Sequence, residues 1–356
     1  MKNLLILIGL VFVASSCISH EKKENSQWTV VRANEWYAKE KWPVGTNFTP
    51  SNAINTIEMW DAETYDSATI DRELGWIKEM GFNTQRVNFH YLVWARNPET
   101  FKMRVANFLD LCEKHQQKVM FVFFDDCWNR NPTLGKQPNP IPGVHNSGWV
   151  QCPGGVVQNG DTALWKVLEA FEKDVIYYFR DDKRILCWDL YNEPGNSDYL
   201  NKSLPLLKKS FEWAREINPS QPITSGLWNY SDAFKDLNEF CTQNSDIITF
   251  HHYDNASDLE NLITKLKVHG RPIMCTEYMA RGRDSRFQSH LPIFKKDKIG
   301  AFNWGFVSGK TQTIYPWGSP VGVAEPALWH HDILRQDGSP YDSLEVKFIK
   351  QITSEE

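Results

Sequence analysis

The stretch Ile185-Leu-Cys-Trp-Asp-Leu-Tyr-Asn-Glu-Pro194 decides how this chain is expected to fold. Residues 185–190 are mostly apolar and contain no turn former, which is typical of a strand covered on both faces. Pro194 cannot continue such a strand, so Asn192 and Glu193 are left at its carboxyl end. In a parallel α/β barrel, the functional site lies at the carboxyl ends of the strands. The stretch therefore predicts a buried strand that presents a carboxylic acid at that end of a barrel.

The segment Pro272-Ile-Met-Cys-Thr-Glu-Tyr278 repeats this arrangement, with Glu277 at the tip of a second apolar strand. Two strand-end glutamates in one barrel suggest a retaining glycosidase, because that chemistry uses one carboxyl group as acid and base and the other as nucleophile. The positions of Glu193 and Glu277 differ by 84 residues (277 − 193 = 84). This equals three βα units of 28 residues each (84/3 = 28), as strands four to seven of a barrel require.

Strand-like and helical segments alternate along the chain after residue 27. Alternation of this kind predicts a parallel sheet, and eight units without a second compositional region favour closure into one barrel. We therefore expect an α/β fold in which residues 28–356 form a single (β/α)8 TIM barrel with long βα loops, for which ~250 residues is typical. The predicted strands are 44–47, 84–88, 118–124, 185–190, 222–226, 247–251, 272–276 and 300–304. The predicted helices include 69–80, 100–115, 163–179, 205–217, 258–268 and a closing helix at 341–352.

The N-terminus is expected to be a targeting segment rather than part of the fold. Lys2 precedes an apolar run at 4–13, which is too short to span a bilayer but fits a secretory signal. Ala14-Ser-Ser-Cys17 resembles a bacterial lipoprotein cleavage site, so residues 1–17 would be a lipoprotein signal peptide, Cys17 the lipidated residue and 18–27 a polar tether. An ordinary signal peptide with an incidental cysteine is the alternative. Because no acidic cluster follows Cys17, the periplasmic face of the membrane is expected rather than the cell surface.

Composition narrows the class of partner. The formal net charge of −5 and pI near 6.1 give no electrostatic footprint for nucleic acid or an anionic membrane surface. Membrane contact is therefore expected only through the lipid anchor, and the protein is expected to be a monomer. The chain is rich in aromatics, with 15 Trp, 12 Tyr and 20 Phe. Sugar rings stack on such flat apolar faces, so this composition modestly favours a glycan as the partner.

Cysteine and histidine spacing gives no sign of a metal or cofactor. No CxxC pair or Cys/His cluster has the spacing of zinc ligands. The doublets His251-His252 and His330-His331 place neighbouring side chains on opposite faces of a strand. We therefore predict neither a metal nor a cofactor. Cys127 and Cys152 border one long loop and could pair in an oxidising compartment, or could stay free.

Long loops are expected on the functional face of the barrel. Residues 125–161 follow the third predicted strand and are rich in Pro, Gly, Asn and Trp, and loops of this length in compact domains are usually functional. The loop after the first strand holds Trp60 and Tyr65, and the loop after the eighth holds Tyr315 and Trp317. We expect these aromatic side chains to wall a cleft above the glutamates. The alternative is that they only cover the barrel mouth.

Five short motifs in barrel order resemble the clan of retaining glycoside hydrolases typified by family 5, the cellulases, mannanases and relatives. Asn192-Glu193-Pro194 matches the acid/base motif of that clan, and Thr276-Glu277-Tyr278 matches its nucleophile position. The resemblance implies that Glu193 is the acid/base, that Glu277 is the nucleophile and that Asn192 binds the sugar 2-hydroxyl. The resemblance covers nearly the whole mature chain as an order of strands.

The other motifs imply supporting roles. Arg86 stands where the clan has an arginine near the nucleophile, and His251-His252-Tyr253 matches its His-x-Tyr, which assigns His251 and Tyr253 to the site. Trp304 matches the tryptophan that floors the sugar subsite next to the scissile bond.

The third strand departs from the pattern of family 5 cellulases. Those enzymes usually have a histidine there, whereas this chain has Phe124-Asp-Asp-Cys-Trp128. This departure leaves the exact family and the substrate open, but it does not affect the chemistry expected of the two glutamates. Asp125 and Trp128 are assigned to substrate binding or its support. One of Asp125 and Asp126 is expected to bind substrate hydroxyls and the other to cap the loop.

The sequence thus predicts an exported retaining glycoside hydrolase that cleaves a β-linked polysaccharide or oligosaccharide by double displacement. A catalytically silent carbohydrate-binding lipoprotein on the same barrel is the rival from another class. A transglycosidase would use the same residues and differ only in excluding water. The sugar, its linkage and the choice between endo and exo action are left open by the sequence.

Overall fold

The computed structural model describes residues 26–155 and 160–354. The predicted signal peptide with Cys17, and all but the last two residues of the predicted tether, lie outside the described residues. Within the described part of the chain, no helix combines the length and apolar character needed to cross a membrane.

Eight parallel strands form the barrel, as predicted. The sheet order β5-β4-β3-β2-β1-β8-β7-β6 is that of consecutive βα units closing on themselves. The seam between β5 and β6 is narrow: the Leu227 N–H donates to the Thr249 carbonyl at 2.9 Å, and the His251 N–H donates to the Leu227 carbonyl at 2.8 Å. The strands are β1 Val44–Asn47, β2 Thr84–Asn88, β3 Lys118–Asp125, β4 Ile185–Asn192, β5 Ile223–Thr224, β6 Ile248–His251, β7 Ile273–Tyr278 and β8 Gly300–Trp304.

The strands differ from prediction mainly at their ends. Strand β5 is two residues long rather than the five predicted for 222–226. Strands β4 and β7 run two residues further, so that Asn192 and Glu277 still pair with neighbouring strands. Pairing with neighbouring strands therefore continues to the ends of β4 and β7. This pairing fixes the positions of the side chains at those strand ends.

Helices surround the barrel, and each predicted helix is present with small differences in its ends. The helices are α1 Val30–Ala38, α2 Thr56–Trp60, α3 Ser67–Glu79, α4 Tyr91–Arg96, α5 Pro98–Lys114, α6 Trp165–Phe179, α7 Leu204–Ile217, α8 Lys235–Asn244, α9 Ala256–Leu266, α10 Phe287–Lys296 and α11 Ser343–Ser354.

Helix α1, which the sequence analysis did not anticipate, closes the amino-terminal end of the barrel. Its Tyr37 is buried against side chains inside the barrel and donates from its hydroxyl to the Lys298 carbonyl at 2.6 Å. The barrel side chains of this cluster are Met120, Leu186, Cys187, Ile247, Met274 and Phe302. The barrel interior is therefore filled with apolar side chains at this end, and the functional site is expected at the opposite end.

Trp60 does not wall a cleft, contrary to expectation. Its side chain is fully buried and its ring packs against four phenylalanines between the barrel and the helices. The indole N–H donates to the Asn88 carbonyl at 2.8 Å. Helix α2 directs the residue inward, whereas Trp317, in the loop after β8, keeps 37% of its surface exposed. Of these two tryptophans, Trp60 is therefore a core residue and Trp317 is exposed.

Replacing Trp60 by alanine should lower the free energy of unfolding by about 3–5 kcal/mol, because it leaves a large cavity among packed rings. Trp317→Ala is the matched control and should cost clearly less, because its side chain is partly in water. Denaturant unfolding followed by circular dichroism measures both. Equal losses in the two variants would contradict the placement of Trp60 in the core.

Candidate active site

Four strands bring the predicted polar residues together at the carboxyl end of the barrel. Strand β4 leads to Glu193, β7 carries Glu277, β2 carries Arg86 and β6 ends at His251. Glu193, His251 and Glu277 each offer one side-chain oxygen or nitrogen atom, and these three atoms lie within 4.8 Å of one another. The two glutamates that the sequence placed on separate strands therefore form one site.

Glu277 is held as an anion by two donors. The Arg86 guanidinium contacts its Oε1 at 3.0 Å, and the Tyr253 hydroxyl donates to its Oε2 at 2.7 Å. Hydrogen bonds from a cation and a hydroxyl favour the charged form of a carboxyl group. Glu277 is thus equipped to stay ionised and to present a carboxylate oxygen to a substrate.

Arg86 is fully buried and is fixed by partners from three further strands. Its Nε and one terminal nitrogen contact Asp189 Oδ2 at 3.0 and 2.8 Å, and it also donates to Asn47 Oδ1 at 2.8 Å and to Asn192 Oδ1 at 2.7 Å. Burial lowers the pKa of the Arg86 guanidinium, but the charges of Asp189 and Glu277 outweigh burial and the pKa lies above its ordinary value. The guanidinium is therefore charged whenever its carboxylates are.

Asp189 and Asn47 are members of this network that sequence reasoning missed. Asp189 is the one charged residue in the apolar run of β4, and that oddity is the signal by which it could have been found. Asn47 carries no such signal, because an asparagine at the end of a strand is common in turns. Its Nδ2 donates to the Thr276 carbonyl at 2.8 Å, which places it beside Glu277.

Glu193 sits on a left-handed backbone and has three neighbours. Its φ is +45°, uncommon for a residue other than glycine and a kind of strain that concentrates at functional sites. His251 Nδ1 lies 2.8 Å from Oε1, while the Cys127 thiol and the Asn196 amide approach Oε2 at 3.1 and 2.5 Å. No cation touches this carboxyl group directly, in contrast to Glu277.

The two environments separate the roles of the carboxyl groups. Burial raises the pKa of Glu193, and donation from Cys127 and Asn196 lowers it only in part. The pKa of Glu277 is also raised, because burial and the neighbouring Glu193 carboxylate outweigh His251, Arg86 and Tyr253, which lower it. Because two carboxylates at this distance repel, the pair gives up its first proton at the site with the cation. Glu277 is therefore the member that ionises first, and Glu193 keeps its proton to higher pH.

His251 can form a hydrogen bond with Glu193 in either protonation state of that carboxyl group. Burial lowers the pKa of His251 to about 4, so its ring is neutral near pH 7. A neutral imidazole can accept a hydrogen bond from the acid or donate one to the carboxylate, depending on which nitrogen carries the proton. The 2.8 Å contact can thus persist when Glu193 gains or loses its proton.

Asp125 supports the site from behind rather than facing the cavity. Its Oδ1 accepts from the Cys127 N–H at 2.8 Å and from Asn192 Nδ2 at 2.9 Å, and its Oδ2 accepts from Trp149 Nε1 at 2.8 Å. Asp126 is also occupied, by Tyr191, Ser203 and the Gly195 N–H. The expectation that one of these aspartates binds substrate hydroxyls is therefore not met by their placement, since neither lines the cavity.

Cys127 and Cys152 are free thiols, so the disulfide considered for them is absent from the structure. The Cys127 thiol instead points to Glu193 and also receives long contacts from Asn192 and Asn196 at 3.5 and 3.4 Å. Burial raises the pKa of Cys127 well above its ordinary value, and the neighbouring carboxylates add to this. It is therefore a neutral S–H donor. It occupies the stretch where sequence analysis noted the missing histidine.

A cavity of about 610 Å³ opens above the two glutamates and is walled by tryptophans. Trp128 and Trp304 were assigned to the site from sequence, and Trp317 was expected as part of the wall. Trp149 lies in the long loop 125–161 expected on the functional face but was not singled out, and Trp228 was missed because nothing in its local sequence separates it from core tryptophans. The main-chain carbonyl oxygen of Tyr315 lies 2.8 Å from His145 Nδ1, but the Tyr315 side chain is not part of the cavity lining.

Glu193, His251 and Glu277 are also the one group among the described residues whose spacing could hold a metal ion. Arg86 and Tyr253 already bind Glu277, and a guanidinium beside the group opposes a second cation. The expectation of no metal and no cofactor stays a prediction.

Comparisons with known proteins place this geometry in a family. A family model described as Cellulase (glycosyl hydrolase family 5) matches residues 43–309. A variant of a GH5_18 protein from Streptomyces cattleya, crystallised with Manβ1-4GlcNAc, is similar at 12% identity and a TM-score of 0.62, over 87% of this chain and 80% of that one. No curated protein sequence matches the chain.

Two further solved structures show the same likeness of fold. The exo-β-1,4-mannosidase Op5Man5 from Opitutaceae bacterium strain TAV5 has 16% identity and a TM-score of 0.60, over 87% of this chain and 59% of that one. The endo-β-1,4-mannanase from Thermotoga petrophila has 14% identity and a TM-score of 0.57, over 89% and 77%.

Replacing Cys127 by alanine should move the basic limb of the pH–activity profile to higher pH. The thiol donates to Glu193 and lowers the pKa of that carboxyl, so its loss lets Glu193 keep its proton to higher pH. Cys152→Ala is the matched control, because that buried thiol does not contact Glu193. Profiles of kcat/KM against pH decide the matter. A slower variant with an unmoved limb would mean that Cys127 only fills space.

Proposed function

This chain belongs to glycosyl hydrolase family 5 and is a glycoside hydrolase, and we propose that it cleaves β-linked polysaccharide or oligosaccharide by double displacement with retention of configuration. In this proposal Glu277 is the nucleophile and Glu193 is the acid/base. The observation that carries it is the short distance between the two carboxyl groups, each of which has an oxygen within 4.8 Å of the other. Retaining enzymes hold their carboxyl groups about 5–5.5 Å apart, whereas inverting enzymes need about 6.5–9.5 Å to admit a water.

The first step forms a glycosyl–enzyme ester. A Glu277 carboxylate oxygen attacks the anomeric carbon, the bond to the leaving oxygen breaks, and Glu193 transfers its proton to that oxygen. Arg86 and Tyr253 fix the direction of Glu277 through the contacts at 3.0 and 2.7 Å. Because these donors are already in place, little rearrangement is needed as charge leaves the carboxylate.

The second step hydrolyses the ester. Once Glu277 is esterified it carries no charge, so Glu193 no longer faces a neighbouring carboxylate and its proton has already left with the product. Glu193 then accepts a proton from water as the oxygen of that water bonds to the anomeric carbon, and the Glu277 carboxylate is released. His251, neutral and 2.8 Å from Oε1, can donate to Glu193 in this state.

Asn192 is suited to hold the sugar hydroxyl next to the reacting carbon. Arg86 occupies its oxygen and Asp125 takes one of its two N–H groups at 2.9 Å. The second N–H has only the 3.5 Å contact to the Cys127 sulfur and borders the cavity. A donor fixed in this way can bind the 2-hydroxyl oxygen, an interaction that strengthens in the transition state.

The substrate is expected to stack on the aromatic walls. Trp304 and Trp149 lie with their rings 5.5 Å apart and at 72° to each other, so one can floor a sugar ring while the other borders its edge. The similar structures named above include a β-1,4-mannosidase and a β-1,4-mannanase, and for that reason β-mannosides head the substrate panel, followed by β-glucan, xylan and galactan oligosaccharides.

Azide rescue of the two glutamate variants tests the assignment of roles. Glu277→Ala should lose activity, and azide should restore it on an aryl β-glycoside while giving the α-glycosyl azide, because the anion attacks from the empty nucleophile side. Glu193→Ala should be slower by about 10²–10⁴-fold on a natural glycan. There azide should give the β-glycosyl azide. Product configuration is read by NMR.

Two results would count against the proposal. Full activity of Glu277→Ala would contradict the assignment of Glu277 as the nucleophile. The same azide anomer from both variants would contradict the division of roles between the two glutamates. Tight binding of one glycan by the wild type without turnover would favour the silent carbohydrate-binding barrel instead.

We also propose that the protein is exported and anchored through Cys17 at the periplasmic face of the membrane. Labelled palmitate should enter the wild-type protein in bacteria, whereas Cys17→Ser should stay unlabelled and move to the soluble fraction. Cys127→Ser serves as the control and should keep its label. Labelling of the Cys17 variant would contradict the anchor.

A further inference from the structure

The cleft is closed on one side by contact between the loops after β3 and β8, and from this we infer that the enzyme removes short pieces from the non-reducing ends of chains rather than cutting within them. The inference rests on the proposed function and deepens it. It depends on which side of the catalytic pair is closed and on which part of the substrate lies there.

The two loops are bonded to each other over several residues, and we call this contact the clasp, defined as residues 141–146 with 311–322. The Asn146 N–H donates to the Thr311 carbonyl at 2.8 Å, and the Gly322 N–H donates to the Pro142 carbonyl at 2.7 Å. The remaining clasp bonds join Gln312 to Ile141, Gly143 and Val144, and His145 to Tyr315.

The inner side of the clasp is buried, whereas residues 141–142, 316–318 and 320–322 are exposed. His145 and Asn146 are 2% and 1% exposed, and both line the cavity. The ring of His145 lies 5.2 Å from that of His331 and 6.1 Å from that of Trp317. Such packing makes the clasp a fixed wall of the cleft.

Residues that flank the clasp bond to the loop after β1, and that loop does not line the cavity. Asn55 donates from Nδ2 to the Gly148 carbonyl at 2.8 Å, and the Lys310 N–H donates to the Ser51 carbonyl at 2.9 Å. Among the described residues, none that lines the cavity comes from the loops after β1 and β2. The lining residues come from β4, β7 and Trp304, and from the loops after β3, β4, β5, β6 and β8. On the side of the barrel where β1 and β2 end, the cavity wall is therefore formed by the β3 loop and the β8 loop, which are in direct contact.

Little space is left behind that wall. Between β1 and β8, beyond Trp149 and Trp304, lies a void of only about 20 Å³. A single water needs about 10–15 Å³ measured in this way, so the void admits a water but no sugar ring. The void therefore offers no further sugar-binding site beyond these two tryptophans.

The opposite side of the catalytic pair is open. A second cavity of about 550 Å³ adjoins the first and shares Glu193, Trp228, Tyr253 and Trp317 with it. It extends along residues after β5, β6 and β7 as far as α9. A chain can leave the site in this direction.

The positions of the two glutamates assign the substrate to these spaces. Glu277 lines only the first cavity, whereas Glu193 lines both. The nucleophile bonds to the sugar that keeps the anomeric carbon, and the acid/base touches the oxygen of the leaving part. The glycone therefore occupies the first cavity, which the clasp borders, and the leaving chain occupies the second. Since the glycone carries the non-reducing end, that end must lie against the clasp.

The test compares oligosaccharides with free and blocked non-reducing ends. The probes are β-1,4-linked manno- and gluco-pentasaccharides and the same compounds carrying a 4,6-O-benzylidene cap on the terminal sugar, with the corresponding soluble polymers for viscometry. The better-cleaved series should release one short product from the first minutes, its capped form should react at least about tenfold more slowly, equivalent to about 1.4 kcal/mol in the barrier, and polymer viscosity should stay nearly constant.

Other outcomes separate this inference from the proposed function. Products of many lengths at early times, with capped and free pentasaccharides cut at similar rates, would overturn chain-end action while leaving the retaining mechanism intact. Absence of hydrolysis in both series and in the rest of the substrate panel would overturn both.

Loosening the clasp should weaken the discrimination. Gln312→Ala removes three clasp hydrogen bonds without touching the residues assigned to catalysis, and a stronger variant replaces residues 137–147 by a short Gly/Ser linker. Both should raise the rate on capped relative to free pentasaccharide, provided that circular dichroism shows a folded barrel. Tyr230→Ala, in the second cavity, is the matched control and should leave that ratio unchanged. An unchanged ratio in folded clasp variants would mean that the clasp does not set the end of the cleft.

Discussion

The buried guanidinium of Arg86 is the constraint on which the site depends. A cation without water is costly unless it is paired and hydrogen-bonded, so its surroundings must supply anions and acceptors in fixed directions. Asp189 and Glu277 supply the anions, and Asn47 and Asn192 supply the oxygens. These partners come from β1, β4 and β7, so satisfying one charge fixes the relative positions of side chains from four strands. Glu277, the proposed nucleophile, is one of the groups that the cation holds.

The same constraint separates two chemically identical residues. Both glutamates are carboxylic acids at strand ends, and burial raises the pKa of each. Only Glu277 touches the cation, whereas Glu193 has a thiol, an amide and a neutral imidazole as neighbours. The difference of neighbours lets Glu277 ionise before Glu193, which is the order that the proposed double displacement requires.

The barrel strands position the two glutamates, whereas the loops shape the cavity above them. The strands hold the catalytic groups in register, and apolar side chains beneath them keep that end of the barrel filled. The extent of the cleft is set by the loops after β3 and β8, which carry most of the cavity tryptophans and bond to each other. Changes in those loops can therefore alter which end of a glycan is accepted without disturbing the carboxyl groups.

The sequence by itself determined the eight strands, the barrel and the identity of the strand-end groups, because apolar runs ended by turn formers are local patterns and Glu193 and Glu277 stand at their ends. It also named Arg86, His251, Tyr253 and Trp304, through short motifs in barrel order. Only the tertiary structure decided that Asp189 pairs with Arg86, that Cys127 contacts Glu193, that Asp125 lies behind the site and that Trp60 is core. These are contacts between residues distant in sequence, and their physical cause is how helices and loops turn each side chain, which no local pattern records.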